Sequence, residues 1–176
     1  LEKTLTFSNM PERMALSPDG RKLYVALLVQ EHSSYWWEED QSGFIAVIDT
    51  QQLSVSYTLA INTDPYDLLV TSTGKLIVAS GSGQRTDIFA YDATTGEVLG
   101  QSSIYQQSHL SLHPSEDWVF AANTGLSPSD IEKFDIRGTG ITSIGDSPYH
   151  GDHRMEGDIW SLPNGEHVIT RGGDVF

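Results

Sequence analysis

The chain has no cysteine, which excludes a disulfide framework, a thiolate metal site and a cysteine nucleophile together. Basic residues are scarce. Ten Lys and Arg stand against 24 Asp and Glu, a formal net charge of −14, and a surface of that sign repels phosphate backbones, so nucleic acid is not expected as a partner. The same acidity serves solubility and selects no ligand. No run approaches the ~18 apolar residues that span a bilayer, and the first residues lack the basic-then-apolar order of a signal peptide. No ten-residue stretch places apolar residues at i, i+3, i+4 and i+7, so helices are expected to be nearly absent. Gly81-Ser82-Gly83 and Gly138-Thr139-Gly140 lie between extended segments with no helix after them, which removes the geometry of a phosphate loop. Ser17, Ser80 and Ser161 lie near no Gly-x-Ser-x-Gly elbow, so nucleophilic catalysis has no specific support.

What is present is a repeat. Phe44-Ile45-Ala46-Val47-Ile48-Asp49, Ile88-Phe89-Ala90-Tyr91-Asp92 and Ile131-Glu132-Lys133-Phe134-Asp135 end in aspartates spaced 43 residues apart, and Val55, Val98 and Ile141 keep the same interval six residues later. A second family runs ahead of it. The segment from Leu16 to Ala26 matches Leu112 to Ala122 without a gap, and with one residue deleted Val70 to Ala79 and Leu162 to Arg171 fit as well. Each member is an apolar run, a Pro/Asp/Asn/Gly turn and a second run rich in Val, Ile, Tyr and Phe, the signature of a hairpin. The unit is therefore a four-stranded antiparallel meander of about 43 residues, with the strand-ending aspartates capping turns through backbone N–H bonds. One such sheet cannot bury both faces alone, so the expected class is all-β, a β-propeller of stacked blades.

At this point a family is recognisable. The segments Leu16-Ser17-Pro18-Asp19-Gly20-Arg21-Lys22-Leu23-Tyr24-Val25-Ala26 and Phe44 to Leu68 resemble the surface-layer-type, or YVTN-type, repeats of bacterial β-propeller proteins, over essentially the whole chain. The resemblance implies a non-enzymatic binding module of a cell-surface or secreted protein, presenting loops to a protein or a cell-wall glycan. Related blades also occur in lactonase-like and quinoprotein-like enzymes, so an enzyme with an ion or cofactor at the central channel mouth is the alternative. Trp-Asp and Gly-His dipeptides at blade positions are missing, and the WD-repeat class fits less well.

The expected units are residues 11–61, 66–104, 108–145 and 157–176, with residues 1–7 as the last strand of a preceding blade. Gly173 to Phe176 aligns with Thr86 to Phe89, inside a third strand, so about three and a half blades are expected. Two arrangements follow: part of a larger propeller whose open edges meet another copy or further blades, or a closed four-bladed disc completed by residues 1–7.

Residues just before the innermost strands face the channel mouth in a propeller. By repeat position these are Arg13, Asp67, His109 and the segment holding His150, His153, Glu156 and Asp158. The set could bind a small ligand or a divalent cation, zinc if imidazole joins carboxylate and calcium if oxygen alone does; a hydrated rim of ordinary loop residues is the plainer alternative. An insertion from Glu31 to Asp40 places Tyr35, Trp36 and Trp37 beside a carboxylate run. Such rings contact a glycan or a protein partner, or else fold back over a blade edge.

Overall fold

A computed structural model describes residues 3–38 and 41–176. Three four-stranded antiparallel sheets follow one another: β1 (Met10–Leu16), β2 (Lys22–Leu28), β3 (Gly43–Asp49), β4 (Ser54–Ile61); β5 (Pro65–Val70), β6 (Lys75–Ser80), β7 (Arg85–Asp92), β8 (Val98–Tyr105); and β9 (Ser108–Leu112), β10 (Trp118–Asn123), β11 (Ile131–Asp135), β12 (Thr142–Asp146). A two-stranded hairpin, β13 (Ile159–Ser161) and β14 (Val168–Thr170), begins a fourth, to which Val175 adds an isolated bridge with Ile169. Helix among the described residues is limited to one 3₁₀ turn, Trp36–Glu38. None is long and apolar enough to cross a membrane.

The turns form for local reasons. After β1, Asp19 Oδ1 accepts the Ser17 hydroxyl at 2.7 Å and the Arg21 N–H at 3.0 Å, and Gly20 takes φ +71°, which a residue without Cβ adopts freely. After the third strands, Asp49 Oδ1 accepts the N–H groups of Gln51 and Gln52, and Asp92 Oδ1 those of Thr94 and Thr95, all at 2.8 Å. The repeated aspartates are thus turn caps.

Strand alternation then sends apolar residues to both faces. From the first sheet Tyr24, Ala26, Ile45 and Val47 pack on Leu68, Val70, Leu76 and Val78 of the second. The intervening Leu69, Ile77 and Ala79 turn the other way, onto Val119, Ala121 and Phe134 of the third sheet. Ala122 and Ile131 continue onto Met155, Ile159 and Val168. Buried on both sides, the inner strands read as continuous apolar runs, and each fully buried Val, Leu or Ile contributes roughly 1.5–3 kcal/mol. Sheet-on-sheet burial therefore dominates the fold. The innermost strands β1, β5, β9 and β13 neighbour one another in that order.

Residues 3–7 form no strand. Leu5 and Phe7 instead cover the outer face of the first sheet at Val25, Leu27, Ala46 and Ile48, an apolar face on which no further sheet packs among the described residues. Leu1 and Glu2 lie outside the described residues.

Candidate functional site

One residue from each of the four units meets at the innermost strands. β1 carries a bulge between Pro11 and Met14, and β5 one between Pro65 and Asp67, each directly after a proline that cannot donate to the ladder. A bulge re-aims the side chains it frees. Arg13 and Tyr66 are those side chains. Arg13 Nη1 donates to Asp158 Oδ1 at 2.5 Å and its Nη2 lies 3.1 Å from His109 Nδ1. His109, on β9, reaches Asp158 Oδ1 at 3.0 Å with the same Nδ1, and its Nε2 meets the Tyr66 hydroxyl at 3.1 Å. Asp67 lies buried beneath, its Oδ1 accepting the Leu68 N–H at 2.9 Å and its Oδ2 the Leu110 N–H at 2.8 Å.

Two proton arrangements satisfy a neutral His109. With the proton on Nδ1 it donates to Asp158 while Tyr66 donates to Nε2; with the proton on Nε2 it donates to Tyr66 while Arg13 donates to Nδ1. Burial, with the Arg13 charge beside it, lowers the pKa of His109 and favours these neutral forms. Burial works to raise Asp158, but the hydrogen bond and charge of Arg13 outweigh it and hold that carboxyl below its ordinary range.

Asp67 behaves oppositely: burial pushes it up to about 6 despite its two backbone bonds and the Arg13 charge. Between about pH 4 and 6 the folded chain therefore binds the proton more readily than the unfolded one, so the contribution is complete below pH 4 and lost as pH rises through 6. The difference in unfolding free energy between wild type and Asp67→Asn is expected to fall by up to about 3 kcal/mol from pH 4 to pH 7. Urea denaturation across that range measures it, and a pH-independent difference would show that Asp67 ionises normally.

The remaining residues grouped with this set by repeat position lie elsewhere. His150 Nδ1 is 3.0 Å from Asp130, His153 Nδ1 is 3.5 Å from Asp174, and the exposed Glu156 is 3.5 Å from Arg154. Expectation and structure part here because β12 is the outermost strand of its sheet and β13 an innermost one. The connection between them runs from rim to axis, and of the four residues expected at the channel mouth from this segment Asp158 alone joins the cluster.

The insertion makes a second feature. Its base is pinned: His32 Nδ1 is 2.7 Å from Asp64 Oδ2, Ser33 N–H donates to Ser82 Oγ at 2.8 Å, and Gln84 Nε2 donates to the Ser34 carbonyl at 2.9 Å. A Cβ on Gly81 would sit 2.0 Å from His32 Nδ1, so glycine is what admits the ring. Above that base Tyr35, Trp36 and Trp37 are 57%, 65% and 60% exposed. Tyr35 stacks on Trp37 at 4.7 Å and Trp36 meets Trp37 edge-on at 5.6 Å. The rings cover no blade edge. Glu39 and Asp40, at the end of the insertion, lie outside the described residues.

Sequence reasoning missed Tyr66, His32, Asp64 and Ser82. Ser82 donates to Asp64 Oδ2 at 2.6 Å rather than to His32, so no imidazole activates its hydroxyl. It also missed Lys75, whose ammonium donates to the carbonyls of Ile136 at 2.6 Å and Gly138 at 2.5 Å. The Gly138-Thr139-Gly140 turn thus presents oxygen to a cation, the reverse of a phosphate loop.

No family model matches the chain, and no curated protein matches it in sequence. Solved structures do. The WD40 domain of Toxoplasma gondii coronin aligns with TM-score 0.68 at 10% identity, over 97% of this chain and 45% of that one. A candidate 6-phosphogluconolactonase from Bacteroides fragilis gives 0.63 at 15%, over 92% and 47%. The Myceliophteria thermophila Cps50 (Swd1) β-propeller domain gives 0.62 at 15%, over 96% and 50%. The chain is all-β with the β-propeller fold, and it spans about half the length of these propellers. At such identities the likeness shows the fold alone, which a WD40 domain and a lactonase-type protein share.

Proposed function

We propose that the chain is a β-propeller interaction module that engages a protein partner through the aromatic loop at Tyr35, Trp36 and Trp37, within a cell-surface or secreted protein. The observation that carries this is three exposed rings on a loop anchored at its base. A clustered aromatic surface held in place loses little entropy on binding, and Trp and Tyr are the side chains that dominate interface energetics. Glu31 and Glu38 flank the rings, so the matching surface is basic. The axial cluster favours the same reading over an enzyme, since its polar groups bond to one another. The cellular setting rests on the resemblance of the repeats to surface-layer-type propellers.

The test is affinity capture from a surface extract of the source cells, with wild type and Trp36→Ala/Trp37→Ala. The double variant is expected to melt within a degree or two of wild type and to bind the captured protein at least about 30-fold more weakly. Equal binding by both would remove the aromatic loop from the interface. Capture of wall glycan by wild type in place of protein would change the partner class.

A further inference from the structure

We propose that Asp130, Asp146 and His150 bind a divalent transition-metal ion of the zinc type at the rim of the third sheet. Asp130 immediately precedes β11, and Glu132, two residues on, shares its face by strand alternation. Across the β11–β12 pair Glu132 stands opposite Asp146. Like charges directly opposite destabilise a sheet, so three carboxylates on one face favour a cation among them. Arg85, from the neighbouring sheet, lines the same cavity with its guanidinium over the Tyr105 ring at 4.8 Å, which leaves the group net negative.

The geometry suits one ion. One ligand atom each from Asp130, Asp146 and His150 lies within 4.8 Å of the others, and His150 Nδ1 is 3.0 Å from Asp130 Oδ2. Tetrahedral ligands around an ion bound at ~2.0–2.2 Å are roughly 3.3–3.6 Å apart, so the widest pair needs to close by about 1.5 Å at most, within reach of side-chain rotation at two exposed residues. Asp130 is oriented for it. Its Oδ1 accepts the Ile131 N–H at 2.7 Å and the Ser147 hydroxyl, which leaves Oδ2 toward His150.

Glu132 supplies the independent observation. It is only 7% exposed, its Oε1 is buried without a hydrogen-bond partner, and it lines a cavity of about 390 Å³ together with Asp130, Asp146 and His150. An orphaned buried carboxylate oxygen is costly. Three protein ligands leave a coordination position for water, and a metal-bound water donates to Glu132. Imidazole beside carboxylates selects zinc over calcium, which prefers oxygen alone. The ion ties the connection from β12 to β13 onto the sheet rim, and nothing in this depends on the aromatic loop.

Calorimetric titration of the chain with zinc chloride, at about 0.15 M salt to screen the diffuse surface charge, is expected to show one saturable site and a melting temperature that rises with zinc. Asp146→Asn and His150→Gln, both at exposed positions, are each expected to weaken zinc at least tenfold without lowering the metal-free melting temperature. His153→Gln alters the nearby imidazole that lies outside the set and is expected to change nothing. Zinc affinity that survives both substitutions, or that falls equally in His153→Gln, overturns the site. Calcium bound as tightly as zinc and unaffected by His150→Gln overturns the assignment of imidazole as a ligand.

Discussion

Asp64→Ala is expected to lower the unfolding free energy by about 2–4 kcal/mol, the cost of leaving two buried polar groups without their acceptor. Asp64 is 1% exposed. Its carboxylate gathers His32 Nδ1 at 2.7 Å, the Ser82 hydroxyl at 2.6 Å and the Gly81 N–H at 3.3 Å. Alanine would strand the first two, since the Gly81 N–H also donates to the Asp64 backbone carbonyl at 3.0 Å, and water reaches such a position poorly. The consequence extends to function, because His32 and Ser82 are the base on which the aromatic loop stands. Partner binding should therefore fall in Asp64→Ala under conditions where the variant is still folded, with Trp36 and Trp37 intact. Asp64→Asn keeps one acceptor and should cost less, about 1–2 kcal/mol. Urea midpoints for both variants, read beside binding, check the argument. A loss under 1 kcal/mol in Asp64→Ala would mean the pinned base is not built on this carboxylate.

The second large effect concerns the junction of the first two sheets. Gly43 opens β3, opposite Leu28 on one side and Ile61 on the other. A Cβ there would lie 2.3 Å from Pro65 Cδ, 3.0 Å from the Thr63 carbonyl and 3.1 Å from the Leu27 carbonyl. None of these can yield cheaply: the proline ring is rigid and the other two are backbone. Gly43→Ala is expected to cost about 3 kcal/mol or more, the upper end for overpacking, since relief requires moving the start of β5. Gly20→Ala is the comparison. Gly20 has φ +71° with open space around its missing Cβ, so only backbone strain of about 1 kcal/mol is at stake. If chemical denaturation ranks Gly43→Ala no worse than Gly20→Ala, the close approach of the two sheets is not what holds glycine there.

Much of the fold was legible in the sequence because its signals are local. Asp49, Asp92 and Asp135 mark turns through bonds to residues two or three positions on, and Gly20 marks one by its own dihedral. The strands around them follow from apolar content. The site was less legible. Arg13, Asp67, His109 and Asp158 meet because four innermost strands converge, and repeat position does report that convergence. His150, His153 and Glu156 share a segment with Asp158 and yet lie elsewhere, since a connection running from rim to axis distributes its residues along the way. Tyr66 and Lys75 gave no signal at all. A tyrosine freed by a bulge and a lysine reaching two carbonyls in the turn after β11 become visible only in three dimensions.

The amino-acid order alone determined the unit: a strand and turn pattern repeating every 43 residues or so, whose two apolar faces oblige sheet to stack on sheet. Only the tertiary structure decided which polar groups neutralise one another at the axis, that the Tyr35 to Trp37 rings stand out in solvent, and that Asp130 and Asp146 come together with His150. The reason is one of range. Turn capping and strand alternation act over a few neighbouring residues, whereas those meetings depend on how separate sheets are set against each other, which neither composition nor spacing encodes directly.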